Sequence, residues 1–145
     1  MKQITKIRKA VCTMANRLRK SGYTLSEAFR KAWKSIRRSI TFRAAGVTFE
    51  NRQERLEFLK QFRADELTVT LESEAGNMHD SNAIQIIVHI LPIARKTVIG
   101  YIPRRFSREL GSLLDMGIHI KASLMQVIGG YSYKESLGVL VNVAV

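Results

Sequence analysis

Residues 67–90 read LTVTLESEAGNMHDSNAIQIIVHI. Leu67, Val69 and Leu71 alternate with Thr68 and Thr70, and Ile84, Ile86, Val88 and Ile90 alternate with Gln85 and His89. A period of two puts successive side chains on opposite faces of the backbone, so both runs predict half-buried strands. The intervening residues 74–82 are rich in Gly, Asn, Asp and Ser, the residues of turns. Downstream, residues 98–102 form a further strand running into Pro103, which can take the first position of a helix. Phe106, Leu110, Leu113 and Leu114 carry that helix to a stop at Gly117. Residues 118–128 and 137–145 close the chain as two strands joined by a turn around Gly129 and Gly130. Upstream, residues 40–47 read as a first strand, and Leu56, Leu59 and Phe62 as one face of a short helix over 52–62. Five or six antiparallel strands with two short helices give an α+β, mainly β class and a small, partly open antiparallel barrel.

Before residue 40 the period is 3.6. Ile4, Ile7, Val11, Met14 and Leu18 form one helical stripe, ended by Ser21 and Gly22. Thr24 and Glu27 then form a capping box for a second helix, whose apolar face holds Leu25, Ala28, Phe29, Ala32, Trp33 and Ile36. The period change sets a boundary near residues 38–41, dividing a helical hairpin over 1–39 from a barrel over 40–145. Two short helices are marginal alone. The hairpin is therefore expected to dock on the barrel, or to pair with a second copy or another protein. Trp33 is read as a core residue and Cys12 as an inert packing thiol.

The net charge of +12 is concentrated at one end. Residues 1–43 hold 13 basic side chains and one acid, Glu27, whereas basic and acidic residues balance over 44–145. Such a basic arm on a neutral domain suits a polyanion; a solvated helical face is the alternative. One Cys and three scattered His cannot supply zinc-ligand spacing, so no metal or other cofactor is expected. No apolar run reaches the roughly 18 residues of a membrane span, and the N-terminus lacks an apolar signal core, so a cytoplasmic protein without membrane association is expected. No Ser-His-Asp, Cys-His or paired-carboxylate arrangement stands out, which argues against an enzyme.

Candidate ligand-contacting residues gather in three blocks. Phe49, His79 and Tyr101 are flat side chains at loops or strand ends, where a base can stack; for Phe49 the alternative is a core aromatic. Arg104 and Arg105 open the helix after Pro103, where cations oppose the helix dipole but would favour a phosphate. Asp80 and Asn82 suit a turn in which Asx side chains cap their own backbone. His89 and His119 read as outward-facing.

These blocks, Gly46-Val47-Thr48-Phe49-Glu50-Asn51-Arg52-Gln53, then Glu74-x-x-Asn77-x-x-Asp80-x-Asn82-Ala83-Ile84, then Ile99-Gly100-Tyr101-Ile102-Pro103-Arg104, resemble the HIRAN domain family in order and spacing. The resemblance covers residues 41 to about 145 and implies an OB-like barrel. In the eukaryotic fork-remodelling members that barrel binds single-stranded DNA and captures its 3′ end, with the position of Asp80 accepting a hydrogen bond from the terminal hydroxyl. The implied nucleic-acid-binding set is Thr48, Phe49, Arg52, His79, Asp80, Tyr101, Arg104 and Arg105. Thr48 stands where those members carry Arg, His79 where they carry Tyr, and Tyr101 where they carry His. The lost arginine removes a phosphate contact that Arg43, Arg52 or the hairpin could replace. No P-loop GxxxxGK[ST] is present, so the expectation is a binding module without a motor. The hairpin lies outside the resemblance and looks like helical leaders of small bacterial or phage-associated proteins. An interaction or assembly module remains the alternative function.

Overall fold

The computed structural model describes residues 2–78, 80–131 and 134–145, and of Tyr131, Lys134 and Glu135 the backbone alone. The chain begins with α1 (Gln3–Lys20) and α2 (Leu25–Arg37). The Thr24 hydroxyl accepts from the Glu27 amide at 3.3 Å, and the Glu27 carboxylate accepts from the Thr24 amide at 3.1 Å, forming the expected capping box. The hydrogen bond from the Thr24 amide favours the ionised form and holds the Glu27 carboxyl below its ordinary pKa. Alanines and branched aliphatic residues line the inner face: Ala10, Val11 and Ala15 of α1 and Ala28, Ala32 and Ile36 of α2 are buried. Leu25, expected on that face, is exposed in the first turn, and Cys12, expected to pack, is exposed because it lies off the Val11 stripe. Trp33 is half-buried, with the Arg37 guanidinium 4.6 Å above its ring.

After β1 (Ile40–Arg43) come α3 (Arg52–Leu59), β2 (Leu67–Ser73), β3 (Ile84–Ile90), β4 (Arg95–Tyr101), α4 (Arg104–Asp115), β5 (Lys121–Tyr131) and β6 (Lys134–Ala144). The six strands lie in the order β1-β6-β5-β2-β3-β4, and each neighbouring pair is antiparallel. The β2–β3 hairpin pairs Leu67 with Ile90 and Val69 with Val88; β2 is half-buried as expected, whereas β3 buries Ile86, Ile87 and Val88 in succession because both its neighbours pair along it. The sheet curls until its two edges meet at one point. Ala45, just past β1, and Tyr101, at the end of β4, exchange two backbone hydrogen bonds of 2.8 Å. Closure by one bridge leaves the barrel partly open. Gly100 makes room for it, since a Cβ there would lie 2.7 Å from the Ala45 carbonyl oxygen.

Several element boundaries differ from the sequence expectation for local reasons. The first strand stops at Arg43 rather than residue 47, as Gly46 turns the chain at φ +70°. The helix at α3 ends at Leu59, and Phe62 bonds back to Leu59 in a tighter turn. Gly129 and Gly130 lie within β5, at a register shift with positive φ, rather than in the connecting turn. Pro103 is the N-cap of α4 rather than its first residue. At the other end of α4, Gly117 (φ +74°) stops the helix: its amide bonds to Leu114 and that of Ile118 to Leu113, a Schellman pattern.

One continuous core runs from the hairpin into the barrel. Ile36 of α2 meets Leu110 and Leu113 of α4 and Val143 of β6. Polar ties fasten the same junction. The Gln3 amide makes two 3.2 Å hydrogen bonds with the His119 backbone, Lys6 Nζ donates to the Gly117 carbonyl at 3.0 Å, and Ser35 Oγ donates to Glu109 at 2.9 Å. The buried residues of the hairpin thus belong to the same core as the barrel, while Ile4 and Leu25 stay exposed. Among the described residues, no helix is long and apolar enough to cross a membrane.

Candidate nucleic-acid interface

The loop after β1 is built around Arg52. This residue is 5% exposed; its Nη1 donates to the Gly46 carbonyl at 2.8 Å, and its guanidinium lies 4.9 Å from the Tyr101 ring centroid. A Cβ on Gly46 would come within 3.3 Å of both Arg52 Nη1 and the Tyr101 ring, so the backbone must pass bare over this stack. Gln53 fastens the loop from the other side: its Nε2 donates to the carbonyls of Val47 and Leu137, both at 2.9 Å, and its Oε1 accepts from the Leu137 amide at 2.7 Å. At the tip of this tethered loop, Thr48 is exposed and Phe49 is 67% exposed. Phe49 is therefore not a core aromatic. Arg52, for its part, lies buried beneath the loop, with its guanidinium held against Gly46 and Tyr101.

The second block, residues 74–82, holds itself by Asx hydrogen bonds. Asn77 Oδ1 accepts from the Asp80 amide, and Asp80 Oδ1 from the Asn82 amide, both at 2.9 Å. Asn77 Nδ2 donates to Glu74 at 2.9 Å. Glu74 also accepts from the Tyr101 hydroxyl, and these hydrogen bonds, with Arg52 nearby, hold its carboxyl below the usual range. Burial, reinforced by the Glu74 carboxylate, pushes the Tyr101 phenol above its ordinary pKa. Met78 projects from the loop tip, 96% exposed. His79 lies outside the described residues.

Asp80 is a turn residue, yet its second oxygen reaches out of the turn. Asp80 Oδ2 accepts from Ser107 Oγ at 3.1 Å, and Ser107 is buried in the first turn of α4. This contact carries the second block to the third, where Arg104 and Arg105 are exposed and Arg105 lies 4.8 Å over the Phe106 ring. The fold thus gathers Arg52 and Tyr101 in contact and Phe49 beside them around Gly46, with Glu74 joining Tyr101 to the Asn77 turn and Ser107 joining Asp80 to the helix that carries Arg104 and Arg105. Arg43 does not join them; its guanidinium lies against Gly138 on β6. Glu74 and Ser107 were not singled out from sequence as connecting residues, since neither a strand-end Glu nor a helical Ser has a spacing that marks it.

A family model of the HIRAN domain matches residues 37–141, a range that holds all three blocks and all of the barrel except the last residues of β6. The chain belongs to the HIRAN domain family. Comparisons with curated proteins and with solved structures found no match. HIRAN domains are nucleic-acid-binding domains, and in this one hydrogen bonds through Glu74 and Ser107 link the family blocks. Among the described residues, no group of His, Cys, Asp and Glu is placed to hold a metal ion.

Proposed function

We propose that this HIRAN domain binds single-stranded nucleic acid, DNA in particular, across the face where the three blocks converge, and that it performs no catalytic step of its own. The observation that carries the reading is Phe49, a large apolar ring held in solvent by a loop fastened at both ends. A ring kept exposed on a fixed support loses little entropy when a base stacks on it, and such stacking tolerates any sequence. Tyr101, half-buried beside it, offers a second flat surface, while Arg104 and Arg105 supply cations for the backbone. Asp80 would receive the terminal 3′-hydroxyl. Its oxygens each hold one intramolecular donor, and a carboxylate oxygen has a second lone pair to offer.

Phe49→Ala is expected to weaken binding of a fluorescent oligodeoxythymidylate about tenfold, the equivalent of about 1.4 kcal/mol and within the range for one stacked base. The slope of log affinity against log salt should stay as in the wild type, because no phosphate contact is removed. Unchanged affinity would contradict the stacking role, and a reduced slope would contradict its apolar character.

A further inference from the structure

Between the hairpin and α4 runs a groove of about 550 Å³ that touches the family blocks only at Arg105. One wall is α1, contributing Thr13 and Arg17; the other is α4, contributing Arg105, Arg108 and Ser112. Residues three and four apart share a helix face, so Arg105, Arg108 and Ser112 line one side over about 10 Å of helix, and Thr13 and Arg17 stand one turn apart on the other. Three guanidinium groups therefore surround one concavity, with hydroxyls between them.

The single acid in the groove, Glu109, is hydrogen-bonded to Ser35 of α2. Among the described residues, Arg17, Arg105 and Arg108 form no ion pair, so their charges face the groove unneutralised. Guanidinium groups and hydroxyls around an open trough match the oxygens of successive phosphates. The groove also begins at the helical turn where Ser107 meets Asp80, with Arg105 at the end nearest the three-block face, so a chain leaving that face over Arg104 and Arg105 reaches it directly.

We propose that this groove is a second phosphate-binding site, which holds the sugar-phosphate backbone of the strand whose end lies on the three-block face. This inference rests on the proposed function for its source of phosphate. It assigns the hairpin a defined contact, Arg17, in place of diffuse attraction. It also sets a length requirement: a short oligonucleotide fills the three-block face alone, and a longer one reaches the groove.

The test compares oligodeoxythymidylates of 6 and 20 nucleotides on the full chain, carrying Arg17→Gln together with Arg108→Gln. Both side chains are exposed, so neither change opens the core. The 20-mer is expected to lose roughly tenfold in affinity at low salt and about 1.4 units of salt slope for two lost single-strand phosphate contacts, while the 6-mer is unaffected. Arg17→Lys with Arg108→Lys, which keeps the charge, should restore most of the slope. Equal losses for both lengths, or none for either, would overturn the proposal. Tight binding of inorganic pyrophosphate, lost in the Gln pair and accompanied by no length dependence, would also overturn it by making the groove a small-anion site. If Phe49→Ala binds both lengths normally while the Gln pair shows its length-dependent loss, the groove stands and the stacking face fails.

Discussion

Replacing Arg52 by alanine is expected to lower the stability of the chain by about 3 kcal/mol, and to impair nucleic-acid binding as a consequence of a collapsed loop. The side chain is 5% exposed, donates to the Gly46 carbonyl at 2.8 Å and stacks 4.9 Å from Tyr101. Alanine would leave that carbonyl only the longer 3.4 Å hydrogen bond from the Phe49 amide, abolish the cation–π contact and open a cavity beneath the barrel's closing bridge. The ion pair with Glu50, at 3.9 Å to a largely exposed carboxylate, adds little. Arg52 Nε is buried without a partner, which offsets part of what the residue contributes. Arg52→Met, which fills the space without that donor, should therefore cost less than alanine. Urea unfolding of the three proteins checks the order. An Arg52→Ala protein as stable as the wild type, but with a salt slope lower by about one unit, would make Arg52 a phosphate contact instead.

The second large effect concerns the strand end. A 3′-phosphorylated oligonucleotide is expected to bind more weakly than its 3′-hydroxyl counterpart by about 2 kcal/mol, or roughly 30-fold, because the phosphate removes a donor and sets like charge against Asp80. The turn geometry makes Asp80→Asn an informative partner. Its side-chain oxygen can still accept from the Asn82 amide, and its NH₂ can donate to Ser107 Oγ, so the loop keeps its shape while the charge is lost. The variant should narrow the gap between the two ends. A wild type that binds both ends equally would confine Asp80 to its turn. Discrimination that survives Asp80→Asn undiminished would place the reading of the end on another group.

How much of this was legible in the sequence depended on how local each signal was. The alternation of Leu67, Val69 and Leu71 against Ile86, Val88 and Ile90 marks a hairpin because cross-strand burial repeats every second residue. The Thr24–Glu27 box and the Gly117 stop are equally local and were readable for that reason. The start of β4 was not: Arg95 and Lys96 are exposed charged residues on an edge strand, and such residues carry no alternation. Gly129 and Gly130 resemble a turn in sequence, but a long hairpin can absorb a glycine pair as a bulge.

At the candidate site, the residue types were visible and their roles were not. An arginine near a helix start ordinarily faces water, and only the Ala45–Tyr101 bridge, formed by residues 56 apart in sequence, brings the Tyr101 ring over Arg52. The same closure decides that Phe49 stays outside. Asp80 was readable as a turn former, whereas its contact with Ser107 depends on how α4 packs beneath the loop.

If the three blocks act as one surface for a single strand, all three must respond to it together. Backbone amide NMR during titration with an oligodeoxythymidylate 6-mer tests it most directly, because every loop reports at once. The expected result is that shifts concentrate in residues 46–52, 74–82 and 100–105 at a common affinity, with the exposed faces of β5 and β6 unmoved. Shifts confined to one block, or clustered on β5 and β6 with the blocks silent, would contradict it.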